Sequence, residues 1–381
     1  MTKEEALLQR DEYEEALEQH EELIESDHGE IRPKLNTKFL YIQLIVFAAG
    51  LALLAFVLYT IGFQTVADTI SQIGWGFLII LLTNFSRHLI RASCIYLAIP
   101  AEYRNVRFHN VLAARLAGEA MNLMTFTGPI LAEATKAAML KNKVTFSRSA
   151  AAVIVDDIMY YISVALMMLS GVALMVLTVG APGKVMRYSL IGVTIGALVM
   201  LVGMFLVIKY NARPLSFILK RLSNRGWLPR VIASRIEHVY EIETNVYSVY
   251  SERPKLFYSL LGLGCLAHAT SVLEVFLGLK LLGYAPTVVY AYIIEALTKV
   301  INAAFSFVPG TVGVYEGGSG IILKALGFTT AIGVALALIR RGAILFWAAF
   351  GFAILLWRTV DHGSKSFSKP VTAETVSEEA G

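Results

Sequence analysis

The sequence predicts an all-α polytopic membrane protein: about six full spans plus two re-entrant (or broken) helical hairpins, arranged as an inverted repeat. Three observations predict it. Of 381 residues, 56% are hydrophobic and only 16% charged, which is more apolar than a water-soluble domain. The apolar residues gather into runs long enough to cross a hydrocarbon core of about 30 Å, which takes roughly 20 helical residues. Two further apolar segments are broken midway by a Gly-Pro or Pro-Gly pair, and their charged residues recur at a constant offset.

Residues 1–38 read as an acidic cytoplasmic tail. Its first thirty residues hold 12 acids against 2 bases, and the rest of the chain holds 31 bases against 17 acids. The tail lacks the basic start and apolar core of a cleavable signal peptide, so the span after it is expected to stay as an anchor. Ala6, Tyr13, Leu17 and Ile24 are loosely helical in spacing. The tail is expected either to be solvated or to hold a cytoplasmic protein partner.

The first transmembrane half, 39–208, contains apolar runs at 39–62, 73–99, 150–179 and 188–208. Its hairpin, 111–140, is broken at Gly128-Pro129. Residues 209–255 carry nine bases against four acids, with Trp227 among them. They read either as a cytoplasmic amphipathic belt on anionic headgroups or as a plain basic loop. The second half, 256–360, has runs at 256–283 and 329–357 and a hairpin, 287–326, broken at Pro309-Gly310; 361–381 is a second cytoplasmic tail.

Short loops with Lys and Arg stay cytoplasmic. Arg32, Lys34 and Lys38, then Arg104 and Arg107, then Lys141, Lys143 and Arg148 mark that side, whereas loop 63–72 has no base. Both termini therefore come out cytoplasmic, in a multi-pass protein of the inner membrane. Lys184 and Arg187 run against the rule. Cys94 and Cys265 both lie in apolar runs and suggest no disulfide, zinc or redox role.

A shift of 180 residues aligns His88 with His268, Arg115 with Glu295, Glu119 with Lys299, Asn122 with Asn302 and Pro129 with Pro309. A shift of 184 aligns Asp156 and Asp157 with Arg340 and Arg341. Counting crossings makes the first hairpin dip from the cytoplasm and the second from outside, so the halves are expected to be inverted. That plan recurs in transporters, where irregular backbone at membrane depth lines a polar cavity.

In each hairpin the two charges and the Asn share one helical face, because positions i, i+4 and i+7 stack. A charge at mid-bilayer costs about 2.5 to 3.5 kcal/mol on insertion scales, so such residues pair, line water or do work. Arg115 with Glu119 and Glu295 with Lys299 are each either a structural ion pair or part of a site. Glu133 and Lys136, three apart, form an intrahelical pair at minimum. Pro309 ends a helix, and Gly310 and Gly313 let the chain turn; backbone N–H groups at such a turn suit an anion. Glu316 is expected to cap the next helix, to pair with Arg340 or Arg341, or to carry a proton. Asp156 and Asp157 are expected to bridge to Arg340 and Arg341 across the two-fold as a gate. Arg87 and Arg91 either snorkel to headgroups or recognise them, and His268 is either a packing residue or a ligand.

At Pro309-Gly310, Gly313 and Glu316, followed by a span bearing Arg340 and Arg341, the sequence resembles the flippase-like transmembrane region of lysylphosphatidylglycerol synthases. Asn122, Gly128-Pro129, Glu133, Lys136 and Asp156 resemble that family's first half, and the resemblance covers roughly 40–360. There are two departures. Leu131 and Ala132 stand where members often have two glycines, and Asp156-Asp157 where they often have Asp-Arg. The resemblance implies movement of a phospholipid or lipid-linked intermediate between leaflets. With so few residues after the last expected span, no synthase domain and hence no aminoacyl transfer is expected.

The expected function is thus lipid translocation, with an anionic headgroup as partner and no nucleic acid, cofactor or metal. The residues expected to carry it are Asn122, Glu133, Lys136, Asn302, Pro309, Gly310, Gly313, Glu316, Arg340 and Arg341. Arg87, Arg91, Arg115, Glu119, Asp156, Asp157, Glu295 and Lys299 are secondary candidates. No catalytic constellation and no P-loop is visible, so transport would be passive or ion-coupled. The alternatives are a membrane-embedded enzyme on a lipid or isoprenoid phosphate, and an accessory subunit recruiting a partner through its tail.

Overall fold

The structure is a computed structural model that describes Gln64, Asp68 and residues 71–367, apart from 125–127, 142, 181–182, 212, 229–232, 234, 306–310 and 312. The acidic tail, the expected span 39–62 and the pair Pro309-Gly310 lie outside the described residues. Among those described, the chain is helical, with no strand. In chain order the helices are α1 (Gly76–Ala98), α2 (Phe108–Met124), α3 (Gly128–Leu140), α4 (Phe146–Thr178), α5 (Gly183–Lys209) and α6 (Pro214–Asn224). Then come α7 (Ile236–Ser251), α8 (Pro254–Leu281), α9 (Val288–Ala304), α10 (Val314–Ala325) and α11 (Thr330–Phe367).

Five stretches are long and apolar enough to cross a membrane: Gly76–Ala98, Phe146–Thr178, Arg187–Lys209, Pro254–Leu281 and Thr330–Arg358. They coincide with the five runs expected after the first. The two segments expected to be broken are helix pairs, α2 with α3 and α9 with α10. At 1.5 Å per residue the 13 residues of α3 and the 12 of α10 reach only about 20 Å, short of a full crossing.

The sequence repeat reappears in the helix bounds. Helices α2 and α9 are both 17 residues long, and both ends are offset by 180; α4 and α11 start 184 apart. The related helices α1 and α8 pack against each other, α2 packs on α11, and α9 packs on α4. Each hairpin's leading helix thus seats on the span that follows the other half's hairpin. Glycine makes both seats possible. A Cβ on Gly351 would lie 2.0 Å from the Leu116 carbonyl oxygen, and one on Gly171 would lie 2.2 Å from Ala296 Cβ. Leu116 and Ala296 are themselves 180 apart. Lipid tails are as apolar as leucine, so close backbone approach and polar contacts, rather than burial from water, hold such helices together.

Two apolar clusters flank these contacts, one around Ile95, Val111, Leu140 and Met159, the other around Met175, Val275, Ile294 and Leu323. The basic segment folds as α6 and α7. Glu243 of α7 accepts the Leu215 and Ser216 N–H groups at 2.9 and 3.2 Å and the Ser216 hydroxyl, which fixes the start of α6. Ser147 donates to Glu241 at 2.8 Å and ties α7 to the start of α4.

Candidate functional site

A cavity of about 1000 Å³ opens among the helices, and charged side chains line it: Arg87 and Arg91 from α1, Arg115 and Glu119 from α2, Glu133 and Lys136 from α3, and Asp157 from α4. Glu295 and Lys299 from α9 and Arg340 and Arg341 from α11 complete the charged lining, with Asn122, Asn302, Tyr160 and Tyr315 between them. The face shared by Arg115, Glu119 and Asn122, and that shared by Glu295, Lys299 and Asn302, both meet this one space. The i, i+4, i+7 spacing does what helical geometry dictates.

The charges are held in pairs, as bilayer depth requires. On α2, Arg115 Nη2 sits 3.5 Å from Glu119 Oε2. On α3, Lys136 Nζ donates to both Glu133 oxygens at 2.7 Å. On α9, Lys299 Nζ is 2.9 Å from Glu295 Oε1 and donates to the Tyr160 hydroxyl at 3.3 Å. Arg340 Nη2 reaches Glu295 Oε2 at 2.7 Å, and its Nε donates to Glu274 Oε1 at 3.4 Å. Glu274, on α8, also accepts Asn84 Nδ2 at 3.4 and 3.3 Å and lies 4.0 Å from Arg87 Nη1.

The second hairpin is tied to α11 through one carboxylate. Gly313 precedes α10 with φ +76°, a backbone state that glycine adopts without steric cost. Its N–H donates to Glu316 Oε2 at 2.8 Å. The other oxygen of Glu316 accepts Arg341 Nε at 3.0 Å and Nη2 at 2.7 Å. Two of the roles expected for Glu316, cap and arginine partner, are therefore held at once. Gly313, Glu316 and Asp156 do not line the cavity but hold residues around it in place.

One expectation is overturned. Asp156 and Asp157 do not bridge to Arg340 and Arg341. Arg91 of the neighbouring α1 takes both, with Nη2 2.6 Å from Asp156 and 2.8 Å from Asp157, while its guanidinium lies 4.1 Å over the Tyr160 ring. The two arginines are engaged by Glu274, Glu295 and Glu316 instead. Nearer partners take each of these charges, so no bridge between the aspartates and Arg340 or Arg341 is needed. For the same reason Arg91 does not snorkel; it is buried. Arg87 likewise turns inward, with Nη1 3.4 Å from Ser271 Oγ. His268 lies 3.1 Å from Ser163 Oγ and packs against the Tyr160 ring.

Other contributors carried weaker sequence signals. Asn84 and Glu274 stand in apolar runs, and a carboxylate there is itself a signal, but neither has a polar counterpart at the repeat offset. Tyr160 looks like an ordinary span aromatic until it is found between Arg91 and Lys299. Helix α5 offers a wall of small and apolar residues, Ser189, Gly192, Val193, Gly196, Ala197 and Met200. Their i, i+3, i+4, i+7 spacing marks one face, yet with no charge on it nothing distinguished that face from a lipid-facing one.

Comparison of the chain with curated proteins and with solved structures gave no match. The sequence model of the family described as "Lysylphosphatidylglycerol synthase TM region" matches residues 42–351, a range that takes in every residue lining the cavity, and the chain belongs to that family.

Proposed function

We propose that the protein passes the headgroup of a phospholipid or lipid-linked intermediate between membrane leaflets, acting as a carrier rather than a catalyst. The observation that carries this reading is the charged cavity of about 1000 Å³ set among helices able to span the bilayer. A headgroup moving through hydrocarbon loses its hydration. A cavity whose charges are already paired can offer it replacement partners by exchange, without exposing a lone ion to lipid. Membership of a family named for the transmembrane region of a lipid-modifying synthase supports lipid as the cargo.

In this reading the two hairpins serve opposite faces of an inner-membrane protein whose termini are cytoplasmic. Asn122 and Glu133, with Lys136 paired beneath Glu133, meet the headgroup on one side, and Asn302, Lys299, Arg340 and Arg341 on the other. Glu316 positions the second hairpin and Arg341.

The test is reconstitution of purified full-length protein in liposomes that hold acyl-labelled lipids with intact headgroups, scored by leaflet exchange. Wild type is expected to accelerate exchange. The double variant Glu133→Gln with Lys136→Met removes one ion pair whole and keeps the local charge balanced, so it is expected to stay monodisperse and lose the acceleration. Exchange no faster than in empty liposomes with wild type would refute the proposal.

A further inference from the structure

The cavity's charges are paired but not evenly presented. In the pairs of α1 to α4 whose two members both line the cavity, the carboxylate is the more exposed partner: Glu119 at 22%, Glu133 at 29% and Asp157 at 22%, against 7% for Arg115, 2% for Lys136 and 9% for Arg91; Asp156, at 2%, lies behind Arg91 and outside the lining. Packing enforces this order at Lys136. A Cβ on Gly118 would lie 2.7 Å from Lys136 Cε, so glycine there leaves the lysine room to tuck beneath α2 while Glu133 faces the cavity.

In the pairs of Glu274 and Glu295 the order reverses. Glu274 and Glu295 are only 1% exposed, while their partners Arg87 and Lys299 reach 16% and 11%. Arg340 and Asn84 also bind these carboxylates, and Arg340 itself lines the cavity. In the Arg341–Glu316 pair the carboxylate is slightly the more exposed, yet only the arginine lines the cavity. The cavity therefore has an acidic wall on α2, α3 and α4 and a basic wall on α1, α9 and α11.

A pocket for a simple anion would present cations from every side. From this layout we infer that the ligand is a zwitterionic headgroup, with its phosphate set on the basic wall at Arg87, Lys299 and Arg340 and its ammonium set on the acidic wall at Glu119, Glu133 and Asp157. This rests on the lipid reading above and narrows it from an anionic headgroup to one that carries both charges. Charge-assisted hydrogen bonds then form at both ends of the ligand, and each wall rejects the end that carries its own sign of charge.

The test measures binding rather than transport. Full-length protein in detergent is titrated calorimetrically with dihexanoyl phosphatidylethanolamine, with its N-acetyl derivative, and with dihexanoyl phosphatidylglycerol. The first carries phosphate and ammonium; the other two keep the phosphate and lack the ammonium. The ethanolamine lipid is expected to bind at least about tenfold more tightly than either, as loss of one charge-assisted contact implies. Glu119→Gln combined with Asp157→Asn is expected to shrink that preference. Equal binding of the three lipids, tighter binding of the glycerol lipid, or no binding of any of them would overturn the inference. Equal binding of all three alongside leaflet exchange leaves the transport proposal standing alone. Selective binding without exchange sinks transport and leaves the inference intact.

Discussion

Glu316 holds Arg341 with one oxygen, at 2.7 Å to Nη2, and the Gly313 N–H with the other, at 2.8 Å. One side chain thus joins the turn of the second hairpin to the last span. Glu316→Gln keeps an acceptor for the turn but removes the charge facing Arg341. Breaking a buried pair from one side costs about 3 kcal/mol. Glu316→Ala also gives up the bond at the helix start, a further loss of about 1 kcal/mol. Thermal unfolding in detergent is expected to rank wild type above Gln and Gln above Ala. Equal midpoints for the two variants would show that the turn bond contributes nothing.

The two carboxylates on Arg91 are not equivalent. Asp156 is buried and accepts from both Nε and Nη2, whereas Asp157 meets only Nη2 and lines the cavity. Asp156→Asn is expected to lower the unfolding midpoint clearly, by a loss of about 3 kcal/mol. Asp157→Asn is expected to cost under about 1 kcal/mol, as for a partly exposed pair. A reversed order would contradict the roles given to these neighbours.

Seating of α2 on α11 depends on Gly351. Gly351→Ala drives a methyl into the Leu116 carbonyl and is expected to cut the yield of monodisperse protein severely. Gly192→Ala on α5, where a Cβ meets nothing within 4 Å, is expected to be silent. Size-exclusion profiles of the two variants side by side check this.

Outside the spans, Glu243 secures the start of α6 through three hydrogen bonds. Glu243→Ala is expected to speed amide hydrogen exchange in residues 214–224 by roughly tenfold, matching a loss of about 1.4 kcal/mol. Exchange in α8 is expected to stay unchanged. Unaltered exchange in 214–224 would mean that other contacts hold α6.

How far the sequence could be read follows from the range of each signal. The long apolar runs and the breaks at Gly128 and near Pro309 act locally, through hydropathy and backbone restriction, and they placed the spans and the short helix pairs. Charge spacing of four and three residues also acts within one helix, so Arg115 with Glu119, Glu133 with Lys136, and Glu295 with Lys299 were legible. Pairing between helices was not. Whether Asp156 meets Arg91 or Arg340 depends on which spans touch, and α1 against α4 cannot be told from α11 against α4 by hydropathy alone. The uncharged cavity face of α5 escaped notice for the same reason: small apolar residues look alike whether they face lipid or a polar space.

The central claim is a water-accessible cavity at membrane depth that unites the two hairpins, and cysteine accessibility tests it most directly. In a background with Cys94 and Cys265 replaced, Asn122→Cys and Asn302→Cys are each reacted with a small charged methanethiosulfonate in reconstituted vesicles, since only a hydrated thiol ionises and reacts. Modification of both positions, at rates well above that of a cysteine at lipid-facing Leu198, is the predicted result. Two thiols as inert as the Leu198→Cys control would contradict the account.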